Sequence, residues 1–128
     1  MIKTVYTERA PKAIGPYSQA LKVNDFLFLS GQIPVEPQTN EIVEHDIKLQ
    51  TQQVMKNMKA ILENESLTFE HIVKTTIFIK DMNQFSSVNE EYGKFFGEHR
   101  PARSTVEVSR LPKDVLIEIE AIAYIGES

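Results

Sequence analysis

The chain has no cysteine and no tryptophan among its 128 residues. The absence of thiols excludes a disulfide framework, a thiolate metal site and a cysteine nucleophile. No apolar run approaches the roughly 18 residues that a membrane-spanning helix needs. Five glycines and six prolines are too few and too scattered for a disordered or collagenous chain. A glycine-rich phosphate loop is missing, and Ser30-Gly31 lacks the preceding glycine of a nucleophile elbow. His45, His71 and His99 fall in unrelated segments, without metal-ligand spacing. No metal site is expected from them. Lys74, Lys80 and Lys113 sit at strand or turn edges, where lysine discourages edge pairing, so none is read as a Schiff-base residue. Basic residues are in deficit: 14 Lys and Arg against 18 Asp and Glu leave a net charge of −4, which argues against a nucleic-acid partner. Met1-Ile2-Lys3-Thr4 carries one charge and no apolar segment, so a cytoplasmic chain without secretory signal or membrane anchor is expected.

What is present fits a single domain. A composition of 41% hydrophobic and 25% charged residues supports one core without staples. Surface scaling for this size predicts a folded area of ~7,000 Å².

Hydrophobic patterning predicts the elements. Segments 18–23 and 26–32 flank Asn24-Asp25 and read as a hairpin, pairing Val23 with Phe26, Leu21 with Phe28 and Gln19 with Ser30. The run Phe26-Leu27-Phe28-Leu29 suggests burial on both faces. Pro34, Pro37 and Asn40 mark a loop. Asp46 suits the N-cap of a helix over 47–64, with Ile47, Thr51, Val54, Met58, Ile61 and Leu62 on one stripe. Thr68 caps a single turn before a β-branched strand over 72–80. Asp81 opens a second helix over 84–97, carrying Phe85, Val88, Tyr92, Phe95 and Phe96. Segments 103–109 and 115–125 read as a final hairpin, and a short strand at 3–6 begins the chain.

Two helices with single apolar stripes call for one mixed sheet covered on one face. In the final hairpin, Val115, Ile117, Ile119, Ala121, Ala123 and Ile125 share the covered face. Leu116, Glu118, Glu120, Ile122 and Tyr124 share the other face. Matching the apolar sides of that hairpin puts Arg103, Thr105 and Glu107 beside Glu118 and Glu120. This second face is too apolar for water and too charged for a core. It reads either as a subunit interface enclosing a polar site or as a solvated face with Arg–Glu pairs.

Four stretches, in order and spanning nearly the whole chain, resemble the Rid family (reactive intermediate deaminase A, also YjgF or L-PSP). They are Ala10-Pro11 with residues 13–19 (AIGPYSQ), Ser30 to Pro34 (SGQIP), residues 73–82 (VKTTIFIKDM) running on to Val88-Asn89-Glu90, and residues 101–104 (PARS) with 106–108, 110–114 and 117–121. The resemblance implies an α+β chorismate-mutase-like fold, one mixed β-sheet with two helices on one face. It also implies a homotrimer with sites in the intersubunit clefts. Residues 1–128 then form one Rid domain. The implied activity is hydrolysis of enamines and imines such as 2-aminoacrylate, released by pyridoxal-phosphate enzymes, to 2-oxo acids and ammonia. No metal or organic cofactor is implied.

Residue by residue, the resemblance makes Arg103 the carboxylate anchor, a role that a guanidinium fork fills and a lysine does not. The residues alone favour an ion pair from Arg103 to Glu118 or Glu120, and the resemblance reverses that preference. Glu118 matches the carboxylate that positions or activates water, a role that burial favours by raising its pKa. Glu120 is read as a structural partner at the interface. Tyr17, after the turn Gly15-Pro16, corresponds to an aromatic lid; ordinary packing is the plainer alternative. Ser30 and Gly31 line the pocket at a strand end, with a bulge as the alternative for Gly31. Asn89 corresponds to a polar pocket residue, and Thr105 stands where many relatives carry cysteine. The link at 97–101 is shorter than in some relatives. A metabolite-binding regulatory module of the same fold is the alternative function, and an RNA-cleaving translation inhibitor a third, disfavoured by the charge balance.

Overall fold

The computed structural model describes residues 1–126. The elements run β1 (Ile2–Val5), β2 (Ala20–Val23), β3 (Phe26–Gln32), β4 (Val35–Glu36), β5 (Glu41–Ile42), α1 (Ile47–Asn64), β6 (Ile72–Ile79), α2 (Phe85–Gly93), β7 (Ala102–Glu107) and β8 (Ile117–Tyr124). Six strands form one sheet in the order β1-β2-β3-β8-β6-β7, and β4 and β5 pair separately inside the segment read as a loop. The accessible surface is 7366 Å², as scaling for one well-filled core requires.

The first half follows the sequence pattern. Val23 pairs with Phe26 and Leu21 with Phe28. The Ser30 N–H donates to the Gln19 carbonyl at 2.9 Å, and Asn24 takes the turn's positive φ of 52°. Asp46 caps α1 by accepting from the Leu49 N–H at 2.9 Å. The stripe Val54, Met58 and Ile61 is fully buried, together with Leu27, Ile77, Ile117 and Ile119 of the sheet. Thr68 caps the 3-10 turn Phe69–His71 before β6.

The structure corrects three expectations, two of them in the second half. α2 ends at Gly93, short of residue 97. Beyond it the chain tightens into i to i−3 bonds, Phe96 N–H to Gly93 and His99 N–H to Phe96. Phe95 and Phe96 still reach the core, with ring centroids 5.5 and 5.2 Å from Phe69.

The final hairpin does not form. β7 pairs in parallel with β6, and β8 enters between β6 and β3, antiparallel to both. The polarity of the two strands explains the order. β8 presents Ile117, Ile119, Ala121 and Ala123, all buried, and can occupy the sheet centre. β7 presents the polar row Arg103, Thr105 and Glu107 toward the helix side and is suited only to an edge. α2 supplies the crossover that a parallel β6–β7 pair needs.

Both helices lie on one face, so the run at 26–29 is buried on one side only. Leu27 and Leu29 are buried, while Phe26 and Phe28 stay 39% and 43% exposed. Val106 joins them on the uncovered face, and Phe26 packs on Tyr124 with ring centroids 5.4 Å apart.

Candidate active site

The sequence-selected residues form two groups. The first gathers at a bulge in β3, where the β3–β8 register slips between Leu29 and Gln32. Ser30 and Gly31 are the residues in the slip. Ser30 Oγ donates to the Ser18 carbonyl at 2.6 Å. Gln19 anchors the preceding loop: its Oε1 accepts from the Thr7 N–H at 2.8 Å and its Nε2 donates to the Pro11 carbonyl at 2.8 Å. Tyr17 rises from this anchored loop, half-exposed, after Gly15 at φ 127° and Pro16. A cavity of about 210 Å³ runs beside Tyr17 and Gly31, edged by Lys12, Ile14 and Lys113.

Glu118 completes this group. It lies against Gly31 so closely that a Cβ at position 31 would collide with its carboxylate. Burial pushes the Glu118 pKa above the ordinary glutamate value, and the negative charge of Glu120 pushes the same way. No cation of the described residues pairs with it.

The second group sits at the β7 edge, on the helix side. Arg103 lies opposite Thr75 of β6 and donates Nη1 to Asn89 Oδ1 at 2.8 Å. Its guanidinium carbon is 5.2 Å from the ring centroids of both Phe85 and Tyr92. Tyr92 is fixed in turn by a 2.7 Å hydrogen bond between its hydroxyl and Thr75 Oγ1. Phe85, Asn89 and Tyr92 therefore form one cradle, at helical spacings of four and three. The sequence reading placed Phe85 and Tyr92 in the apolar stripe and missed that they flank Arg103; their spacing from Asn89 was the available signal. Thr105 shares this face, and its Oγ1 is buried without a hydrogen-bond partner.

Arg103 and Glu118 thus face opposite sides of the sheet, which corrects the expectation that Arg103, Thr105 and Glu107 lie beside Glu118 and Glu120. The parallel β6–β7 register causes the reversal: Thr75 matches Arg103 on the covered side, while Phe78 matches Glu118 on the uncovered side. Two strands across and three residues along correspond to roughly 14 Å between their Cα atoms. The Arg103–Glu118 or Arg103–Glu120 ion pair does not form. Glu120 instead lines a cavity of about 680 Å³ on the uncovered face with Tyr17, Ser30 and Lys74.

Among the described residues no group of three or more His, Asp and Glu side chains is arranged to hold a metal ion. His71 Nδ1 accepts from the Thr68 N–H at 3.1 Å, and His99 Nε2 bonds the Ile72 carbonyl at 2.7 Å. No helix of the described residues is long and apolar enough to cross a membrane.

Comparison with known proteins places the chain in a family. Residues 7–125 match the family model described as Endoribonuclease L-PSP. A RutC family protein of Pyrococcus horikoshii is 60% identical over 124 residues, covering 97% of this chain and 98% of that one. The 2-iminobutanoate/2-iminopropanoate deaminase of Escherichia coli K12 is 55% identical, over 96% of this chain and 98% of its own. A conserved Rid-family protein of Yersinia pestis superposes with a TM-score of 0.95 at 52% identity, covering 98% of this chain and 100% of that one. Escherichia coli TdcF, crystallised with bound serine, gives 0.91 at 50% identity, covering 95% and 98%. With matches of this identity along nearly its whole length, the chain belongs to the Rid (YjgF/L-PSP) family.

Proposed function

We propose that the protein is an enamine and imine deaminase that hydrolyses reactive intermediates such as 2-aminoacrylate to 2-oxo acids and ammonia, in a site completed by a second copy of the chain. The observation that carries the reading is the half-buried Glu118 carboxylate at the Gly31 bulge, with its pKa raised and no cation bound to it. The deaminase names of relatives at 54% and 55% identity support it.

The chemistry follows from the two groups. 2-Aminoacrylate reacts as its tautomer 2-iminopropanoate. The Arg103 fork holds the carboxylate through two parallel hydrogen bonds, backed by the Phe85 and Tyr92 rings. Glu118 takes a proton from water as the oxygen adds to the imine carbon, and that proton is passed on to the nitrogen. The nitrogen then leaves the tetrahedral carbon as ammonia, while the new hydroxyl gives up its proton to form the carbonyl of pyruvate. General-base assistance of this kind is worth about 10²–10⁴ in rate, enough to outrun the imine's unaided hydrolysis and its side reactions.

A three-carbon substrate does not span the distance between Arg103 and Glu118 of one chain. A closed ring of three chains resolves this by setting the β7 edge of one subunit against the bulge of the next. The uncovered apolar face of Phe26, Phe28 and Val106 gives such a ring its contact surface. In the cleft, Arg103, Asn89 and Thr105 come from one subunit and Tyr17, Ser30, Gly31 and Glu118 from its neighbour. The unpartnered Thr105 Oγ1 then gains a polar neighbour.

The test is a coupled assay. A pyridoxal-phosphate serine dehydratase generates the enamine, and 2-oxo acid formation is followed with and without this protein. Acceleration by the wild type that disappears in Glu118→Ala supports the reading. No acceleration by an assembled wild-type protein overturns it and favours a metabolite-binding module.

A further inference from the structure

A second arginine shares the cavity beside Arg103. This cavity, of about 480 Å³, is lined by Asn89, Tyr92, Phe96, His99, Arg100 and Arg103 among others, and among the described residues no carboxylate lines it. Such a concentration of positive charge stands out in a chain of net charge −4. Neither arginine forms an ion pair with the described residues, whereas Arg9 and Arg110 both do.

The turn after α2 sets the position of Arg100. Its Nη1 donates to the Gly97 carbonyl at 2.7 Å and to the His99 carbonyl at 2.9 Å. Gly97, at φ 61°, folds the segment back so that these carbonyls meet the guanidinium. Arg103 likewise commits Nη1, to Asn89. A guanidinium has five N–H donors, so each fork retains Nη2 and Nε for a ligand. Tyr92 lines the same cavity as both guanidinium groups, with that of Arg103 5.2 Å from its ring centroid.

We propose that Arg100 determines specificity: with Arg103 it forms a two-cation site for 2-imino acids that carry a second carboxylate, the imines of aspartate and glutamate. The inference rests on the deaminase reading above. Arg103 holds the 2-carboxylate, and Arg100 pairs with the side-chain carboxylate across the same cavity. The reaction is unchanged: water adds to the C=N carbon, the C–N bond breaks, ammonia leaves and a 2-oxo dicarboxylate forms. No electrons are gained or lost.

The experiment compares two imines made in situ, 2-iminopropanoate from alanine and 2-iminosuccinate from aspartate, each by the appropriate amino-acid oxidase. Imine removal is read by competition with semicarbazide trapping. The ratio of kcat/KM, dicarboxylic over monocarboxylic, falls about tenfold or more in Arg100→Ala, as loss of a charged hydrogen bond requires. Arg100→Gln keeps a donor for the turn but drops the charge, and it lowers the ratio equally. A ratio unchanged in Arg100→Ala, or retained in Arg100→Gln, overturns the inference and leaves the deaminase reading standing. If the wild type removes neither imine, the deaminase reading fails. Calorimetry with 2-oxoglutarate and 2-oxobutyrate then decides the two-cation site. A preference for 2-oxoglutarate that Arg100→Ala abolishes sustains it, and equal affinities for the two acids in the wild type refute it.

Discussion

Glu118 occupies the space that a side chain at position 31 would need, so the glycine in the β3 bulge and the carboxylate on β8 form one unit. The bulge turns the β3 backbone aside, and the missing Cβ lets Glu118 sit against it. A methyl group there displaces the carboxylate itself. We predict that Gly31→Ala folds and assembles but loses about a hundredfold in kcat, since a catalytic group misplaced by about 1 Å costs that much. Full activity in a correctly assembled Gly31→Ala variant refutes the role given to this contact.

The raised pKa of Glu118 has a consequence for stability. Because the folded state favours the protonated carboxyl, it binds more protons than the unfolded chain between the ordinary glutamate value and the raised one. Stability from this residue is therefore present at low pH and lost as the pH rises through the raised value. Glu118→Gln removes the penalty. Its Tm should exceed that of the wild type at pH 8, and the difference should shrink toward zero as the pH falls below the ordinary glutamate range. Thermal unfolding at a series of pH values checks this, and a difference independent of pH contradicts it.

The first half of the fold was legible because local signals agreed with one another. Asp46 preceded a clean 3–4 stripe, and Asn24 sat between two strand-like runs, so the α1 bounds and the β2–β3 register follow directly. The final strands misled because a turn between two alternating segments looks like a hairpin. What decided their placement was non-local: α2 had already carried the chain from β6 to its parallel neighbour. The polar row Arg103, Thr105 and Glu107 was the overlooked sign of an edge strand. The site suffered the same error. The candidate residues stand out one by one as residue types, but the face each occupies depends on register, and the structure sets Arg103 with Asn89 and Tyr92 rather than beside Glu118.

Glu91 couples the two helices and titrates with the opposite sign. It is buried, accepts from Gln52 Nε2 of α1 at 2.8 Å and pairs with Lys94 at 3.1 Å. The Gln52 hydrogen bond, aided by Lys94, outweighs burial and holds its pKa below the usual carboxylate range. Its contribution is present above the ordinary glutamate value and is lost as the pH falls through the lowered one. Glu91→Ala should lower Tm by roughly 3–8 °C at pH 7, with a smaller deficit in acid. An unchanged Tm at pH 7 contradicts the coupling.

The proposed division of the site between chains has a sharper test than any single variant. Arg103→Ala and Glu118→Ala each destroy one half of every site, and each should be inactive alone while still assembling. In a three-membered ring containing both, one junction joins an intact Arg103 to an intact Glu118. Random mixing by denaturation and refolding makes most rings mixed, and each mixed ring regains one site of three. Turnover should therefore return to about a quarter of the wild-type value from two inactive parents. The doubly substituted chain, mixed in the same way with either parent, creates no intact junction and should restore nothing. A site contained within one chain gives no recovery in any mixture, because every chain present carries one of the lesions.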